Sequence, residues 1–274
     1  MGEENHQEQP FPAEYSNAVV PILGFFANAY VINGKRLTLV DSGAPRVAHL
    51  AKAAISKLLG REISAVDSIT ATHWHVDHVG GISEAIRQTG ADLHLSARIA
   101  YHLENGGRII YPRIFCNETI MPDRSGIKKP KFRLRDLLKM DFIGLPLQRR
   151  ISPRFKAKRY FKDGENLPGH PEWKVIETPG HSPDSVCFWH EETGTLISGD
   201  TINCGTLGPV TCRFVWNEEE YAKSIAKLKT LNVRRILPGH GCILEGDDLM
   251  SKIVCNFNVK IASPAPSPMP LPVE

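Results

Sequence analysis

Between Thr72 and His78 the chain sets three imidazoles and a carboxylate into six consecutive positions: His73, His75, Asp77 and His78, in the pattern His-x-His-x-Asp-His. Three later fragments each offer one further donor in a Gly-containing turn: Pro179-Gly180-His181, Ser198-Gly199-Asp200-Thr201 and Leu237-Pro238-Gly239-His240-Gly241. The resulting five His and two Asp suffice to hold two metal ions. A fold for this chain must bring four distant fragments to one place. An α/β scaffold does that at one edge of its sheets, where each fragment sits on a turn beside a strand.

The local spacing supports this. His73 and His75 are two residues apart, so at a strand end both rings share a face and can point at one ion. Asp77 and His78 follow where the chain turns toward Gly80-Gly81 and can aim at a neighbouring position. Imidazole with carboxylate suits Zn²⁺, and also Fe or Mn. The other histidines (His6, His49, His94, His102, His170 and His190) stand outside such patterns and are read as surface or satisfied core residues.

Strand and helix signals alternate through the chain, which favours α/β layers. Short β-like runs cover 18–23, 28–32 and 36–40, with Asn33-Gly34 as a hairpin turn. Residues 45–59 carry apolar side chains at helical spacing, closed by Gly60. Residues 68–72 read as the strand that delivers the histidine cluster. A helix opens at Gly80-Gly81 and runs to about Gln88. Further strands are expected at 92–95, 173–177, 185–189, 195–198 and 234–237, a helix at 218–231, and a last helix from Asp247 to about Val259.

The 274 residues can build a substantial core. A hydrophobic content of 42% and a net charge of +3 are ordinary for a globular chain and do not by themselves call for a nucleic-acid partner. No stretch approaches the ~20 apolar residues that cross a bilayer. The first sixteen residues are polar and acidic, unlike a secretory signal. None of the six cysteines (Cys116, Cys187, Cys204, Cys212, Cys242 and Cys255) forms a Cys-x-x-Cys pair. They are read as reduced thiols, and the expectation is a cytoplasmic protein.

Two segments stand apart. From Arg124 to Arg159 there are thirteen Lys/Arg against two acids, within a stretch at about 105–165 that shows no clean strand pattern. This reads as a basic, partly helical insertion capping the site, with Arg149 and Arg150 as candidate contacts to an anionic small-molecule substrate. Residues 263–274 are Pro-rich and cannot continue a helix. The expected organisation is an N-terminal extension (1–17), one domain (18–262) carrying the insertion, and the tail (263–274). That tail is either disordered or exchanged between subunits of a homodimer.

From about Val19 to about Leu244 the chain resembles the metallo-β-lactamase superfamily, whose five motifs occur in order, beginning with Asp41 in Leu39-Val40-Asp41-Ser42-Gly43. The resemblance implies a four-layer αββα sandwich with the site at one edge. It implies that His73, His75 and His181 bind a first divalent metal, that Asp77, His78 and His240 bind a second, and that Asp200 bridges them. Asp41 would stand behind the metals, bonded to a ligand imidazole or its loop. Asp77 is the candidate catalytic residue, orienting the attacking water and later shuttling a proton. Zinc lowers the pKa of a bound water from ~15.7 toward ~7, so such a site generates its nucleophile at neutral pH.

The function this implies is metal-dependent hydrolysis of a small carboxylic ester, lactone, thioester or amide, with weak β-lactam hydrolysis included. The zinc β-lactamases usually lack the bridging aspartate, so Asp200 departs from them. Glyoxalase II carries a long helical C-terminal domain, whereas here about 34 residues follow His240 and the last dozen are Pro-rich. Acyl-homoserine lactonases usually place a tyrosine three residues after the bridging aspartate, where this chain has Asn203, kept as a candidate substrate contact. Two other readings are a phosphodiesterase or nuclease, motivated by the basic segment, and a mononuclear iron persulfide dioxygenase. Nucleic acid and membranes are not the expected partners.

Overall fold

The computed structural model describes residues 19–104, 139–141 and 156–256. Arg149, Arg150, most of the basic insertion and the Pro-rich tail lie outside the described residues.

Two six-stranded sheets carry the fold. The first is built from β1 (Val19–Ile22), β2 (Ala29–Ile32), β3 (Leu37–Val40), β4 (Val66–Thr70), β5 (Asp92–Ser96) and β6 (Arg159–Phe161), in that spatial order. β1 to β3 form an antiparallel meander, and β3 to β6 run parallel. The second contains β7 (Asn166–Leu167), β8 (His170–Glu177), β9 (Val186–His190), β10 (Thr195–Gly199), β13 (Arg235–Pro238) and β14 (Leu244–Glu245), in the order β14-β13-β10-β9-β8-β7. A small hairpin, β11 (Asn203–Gly205) with β12 (Gly208–Val210), follows β10.

The strands sort their side chains by parity, as pleated strands must. Val20, Ile22, Val31, Leu37 and Leu39 point outward and pack with Val47, Ala51, Ile55, Ile82 and Ala85. Those partners lie on or beside helices α1 (Arg46–Ala54) and α3 (Ile82–Thr89). Val19, Tyr30, Ile32 and Val40 point inward and meet Trp173, Val175, Phe188, Ile197 and Leu237 of the other sheet. Beyond that sheet, Ile176, Cys187, Trp189, Leu196 and Ile236 pack against Tyr221, Ile225 and Leu228. Those three belong to α5 (Glu218–Leu228), the last α-helix among the described residues, which also include α2 (Val76–Val79) and α4 (Ala97–Glu104). Three apolar seams between four layers define the αββα sandwich expected from the sequence. With both faces covered, the strands read as continuous hydrophobic runs rather than as alternating ones.

Local chemistry sets the helix ends. Asn217 caps α5, its side chain accepting from the Glu220 amide at 3.0 Å. Glu218, Glu219 and Glu220 then place negative charge on the first turn, where the helix dipole favours it. Past α1 the chain continues as a π-helical turn, Ile55–Leu59, and stops at Gly60 in the left-handed region.

Three expectations need correction. Residues 247–252 form turns, not a helix, because Asp248 takes φ 57°, through which an α-helix cannot continue. The end of the basic segment contains a strand, β6, whose flanking Lys158 pairs with Asp92 at 2.5 Å, while Arg159 pairs with Glu165 at 3.2 Å. These charges lie at a sheet edge. Cys204 and Cys242 are joined in a disulfide, with Cα atoms 5.5 Å apart, so they are not reduced thiols. The two lie 38 residues apart and meet because their loops are neighbours in space. Among the described residues, no helix is long and apolar enough to cross a membrane.

Candidate metal centre

The strand ends converge as the spacing predicts. β3 ends at Val40 and delivers Asp41; β4 delivers His73 to His78; β10 delivers Asp200; β13 delivers His240; the turn after β8 delivers His181. Three ring nitrogens meet first: His75 Nδ1 lies 3.1 Å from His73 Nε2 and 3.0 Å from His181 Nε2. A second group forms beside it, with His240 Nε2 3.3 Å and His78 Nε2 3.9 Å from Asp77 Oδ2.

Asp200 stands between the two groups and divides its carboxylate. Oδ1 lies 3.3 Å from both His78 Nε2 and His240 Nε2, while Oδ2 lies 3.6 Å from His181 Nε2. Gly239 makes this possible by its lack of a side chain. A Cβ there would come within 2.4 Å of Asp200 Oδ1 and 2.7 Å of His78 Cε1.

The outward nitrogens are held by the chain. His78 Nδ1 contacts Asp41 Oδ2 at 2.8 Å, His181 Nδ1 the Phe214 carbonyl at 2.8 Å, and His240 Nδ1 the Phe26 carbonyl at 3.0 Å. A donor hydrogen on each of these nitrogens leaves the opposite nitrogen's lone pair facing the cluster, the arrangement metal-ligating histidines adopt. Asp41 does more than hold one ring. It accepts from the Thr72 amide at 2.7 Å and the Thr72 hydroxyl at 2.9 Å, locking the start of the histidine loop. Its backbone sits at φ 61°, a left-handed conformation that Asp tolerates better than most residues.

Charge divides the site. Burial is the largest influence on His73, and with the neighbouring imidazoles it lowers that ring well below the ordinary range. Burial and then His181 lower His75 to about 4. Burial also opposes the charged forms of His78 and His240. At His78, Asp200 and Asp41 outweigh it and raise the ring well above the usual value, and Asp200 with Asp77 raises His240 to about 9. Burial works to raise both carboxylates, yet His240 and His78 hold Asp200 well below its usual range, and His78 and His240 do the same for Asp77. His73 and His75 therefore offer neutral imidazole lone pairs, while the carboxylate side attracts positive charge.

This donor set fits divalent cations. The sets His73/His75/His181, His73/His78/Asp200 and Asp77/His78/His240 each bring one ligand atom per residue within 4.8 Å of the others. Asp200 Oδ1 is buried without a hydrogen-bond partner among the described residues, as an oxygen reserved for an ion would be.

Asn203 lies close by. It is buried, and its side-chain oxygen accepts the His240 amide at 3.1 Å, so it braces the His240 turn. Spacing alone did not point to several supporting residues. Asp184 accepts from the Trp74 amide at 2.8 Å and holds the middle of the histidine motif. Its one sequence signal is a carboxylate three residues after His181 in the same turn. Tyr221 reaches the site from α5, its hydroxyl 2.7 Å from the Thr201 carbonyl and 3.1 Å from that of Asp200.

Comparison with known proteins agrees with this geometry. The family model for the metallo-β-lactamase superfamily matches residues 22–240. The chain is 28% identical over 249 residues to the β-lactamase-like protein 2 homolog of Drosophila melanogaster, covering 86% of this chain and 68% of that one. It is 25% identical over 220 residues to the atrochrysone carboxyl ACP thioesterase of Aspergillus fumigatus, covering 80% of this chain but 51% of the relative. A metallo-β-lactamase family protein from Thermus thermophilus superposes with a TM-score of 0.56 at 20% identity, over 86% of this chain and 76% of that one. The chain belongs to the metallo-β-lactamase superfamily. Its clustered His/Asp donors are candidate metal ligands, and it spans about half to two thirds of the length of these curated relatives.

Proposed function

We propose that the protein is a two-metal hydrolase acting on a small carboxylic ester or thioester, with lactones and amides as related substrates. The observation that carries this reading is the divided carboxylate of Asp200, whose two oxygens face two separate groups of donors. His73, His75 and His181 would hold one ion and Asp77, His78 and His240 the other, with Asp200 shared. Divalent ions bound there supply Lewis acidity and lower the pKa of water; zinc suits the nitrogen and oxygen donors, with iron or manganese as alternatives.

The chain's own residues do the rest. Asp41 and the Phe214 and Phe26 carbonyls fix the rings of His78, His181 and His240, so the donors do not reorganise during the reaction. Asp77 is partly open to solvent and has one oxygen facing His240, which leaves the other to orient water and pass on a proton. The thioesterase relative supports placing thioesters in the substrate class.

The test is hydrolysis of aryl esters, acyl thioesters, lactones and a phosphodiester by the full chain, before and after chelation. Chelator-sensitive cleavage of esters or thioesters, restored by zinc, is expected. Cleavage of the phosphodiester alone would replace this reading with the nuclease one.

A further inference from the structure

One buried thiol at this centre lies outside the seven-residue donor set. Cys212 is 4% exposed, and its sulfur lies within 4.8 Å of a ring nitrogen of His181 and a carboxylate oxygen of Asp200. That is roughly the span reached by donors ~2.0–2.3 Å from one ion.

The position is built. The Cys212 amide donates to the Tyr221 hydroxyl at 2.9 Å, and that hydroxyl lies 3.1 Å from the Asp200 carbonyl. Two residues on, the Phe214 carbonyl takes the His181 Nδ1 hydrogen at 2.8 Å, and the Trp216 amide donates to the Gly180 carbonyl at 2.8 Å. The strap from Cys212 to Trp216 is thus fastened at both ends to turns that carry candidate ligands. A second observation points to a ligand here. Asp200 is 6% exposed and turns Oδ2 toward His181, 3.6 Å from Nε2, while its Oδ1, on the side of His78 and His240, is buried without a hydrogen-bond partner among the described residues.

We propose that the Cys212 sulfur is an additional donor to the metal centre, coordinating beside His181 and Asp200. On binding, the thiol proton leaves to solvent and the sulfur lone pair is shared with the ion. A sulfur donor shifts preference toward zinc, cobalt and iron and away from magnesium and manganese. The inference rests on the metal-centre reading above but not on the reaction catalysed.

Cobalt(II) replacement in the full chain tests it. Visible ligand-field bands report bound cobalt, and a near-ultraviolet sulfur-to-cobalt charge-transfer band reports thiolate coordination. The wild-type chain should show both. Cys212→Ser should lose the charge-transfer band and keep ligand-field bands, while Cys116→Ser, Cys187→Ala and Cys255→Ser retain both. Ligand-field bands without the charge-transfer band in the wild type would overturn the inference and leave the metal centre intact. So would a band that survives Cys212→Ser or vanishes in a control variant. Should Cys212→Ser not fold, the wild-type and control spectra still decide. Failure to bind cobalt at all would instead overturn the metal-centre reading.

Discussion

Asp41 Oδ2 lies 2.8 Å from His78 Nδ1, and both side chains are buried. The same carboxylate takes the amide and hydroxyl of Thr72, so one side chain orients a candidate ligand and anchors the start of the loop that carries it.

Replacing Asp41 should therefore weaken metal binding without removing a ligand. Asp41→Ala is expected to lower metal affinity by about 10- to 100-fold, the usual cost of losing a partner of a ligating histidine. Competition titration against a chromogenic chelator measures this. An unchanged affinity would mean that His78 is oriented by other contacts.

Gly239 offers a steric test. The methyl of Gly239→Ala would collide with Asp200 Oδ1 and His78 Cε1, and the prediction is loss of bound metal in a chain that still folds. Gly60→Ala is the control. A Cβ there meets nothing within 4 Å, so only strain at φ 61° is added, about 1 kcal/mol of stability with no change in metal content. Metal analysis of both purified variants separates the two effects.

The Cys204–Cys242 disulfide closes a long loop around the His240 turn, with the Cys204 amide donating to the His240 carbonyl at 3.2 Å. On the chain-entropy account such a link contributes up to about 4 kcal/mol, less any strain. Reductant should lower the denaturant midpoint of the wild-type chain and leave Cys242→Ser unaffected. An equal midpoint for the reduced and oxidised wild type would remove the disulfide from the stability account.

Acid stability should depend on Glu84. The Arg87 side-chain hydrogen bonds, at 3.0 and 2.6 Å, outweigh burial and lower the carboxyl to about 2 from its usual 4.5. A depressed carboxyl contributes stability that is complete above its unfolded pKa and is lost as pH falls through the folded one. The loss therefore lies between about pH 4.5 and 2. Arg87→Ala should flatten that part of the stability profile by lowering stability at pH 7 while changing little near pH 2. Equal losses at both pH values would assign Arg87 a packing role instead.

Much of the fold was legible because its determinants are local. Continuous apolar runs at β9 and β10 mark strands covered on both faces, and the apolar spacing of Tyr221, Ile225 and Leu228 marks the buried face of α5. The β11–β12 hairpin was not legible, since Asn203–Gly205 and Gly208–Val210 carry little apolar alternation. The expected last helix failed on the backbone of one residue, Asp248. At the site, the seven His/Asp candidates were legible from motif and spacing. The parts played by Asp184, Tyr221 and Cys212, and the Cys204–Cys242 pairing, arise only when distant turns meet in space.

The most direct test of the central claim is metal content per chain in the wild type and in Asp200→Asn, measured by mass spectrometry on protein saturated with zinc and freed of excess. A shared carboxylate predicts about two ions per chain in the wild type and a clear loss in the variant. One ion per chain, unchanged by the substitution, would contradict the two-metal account.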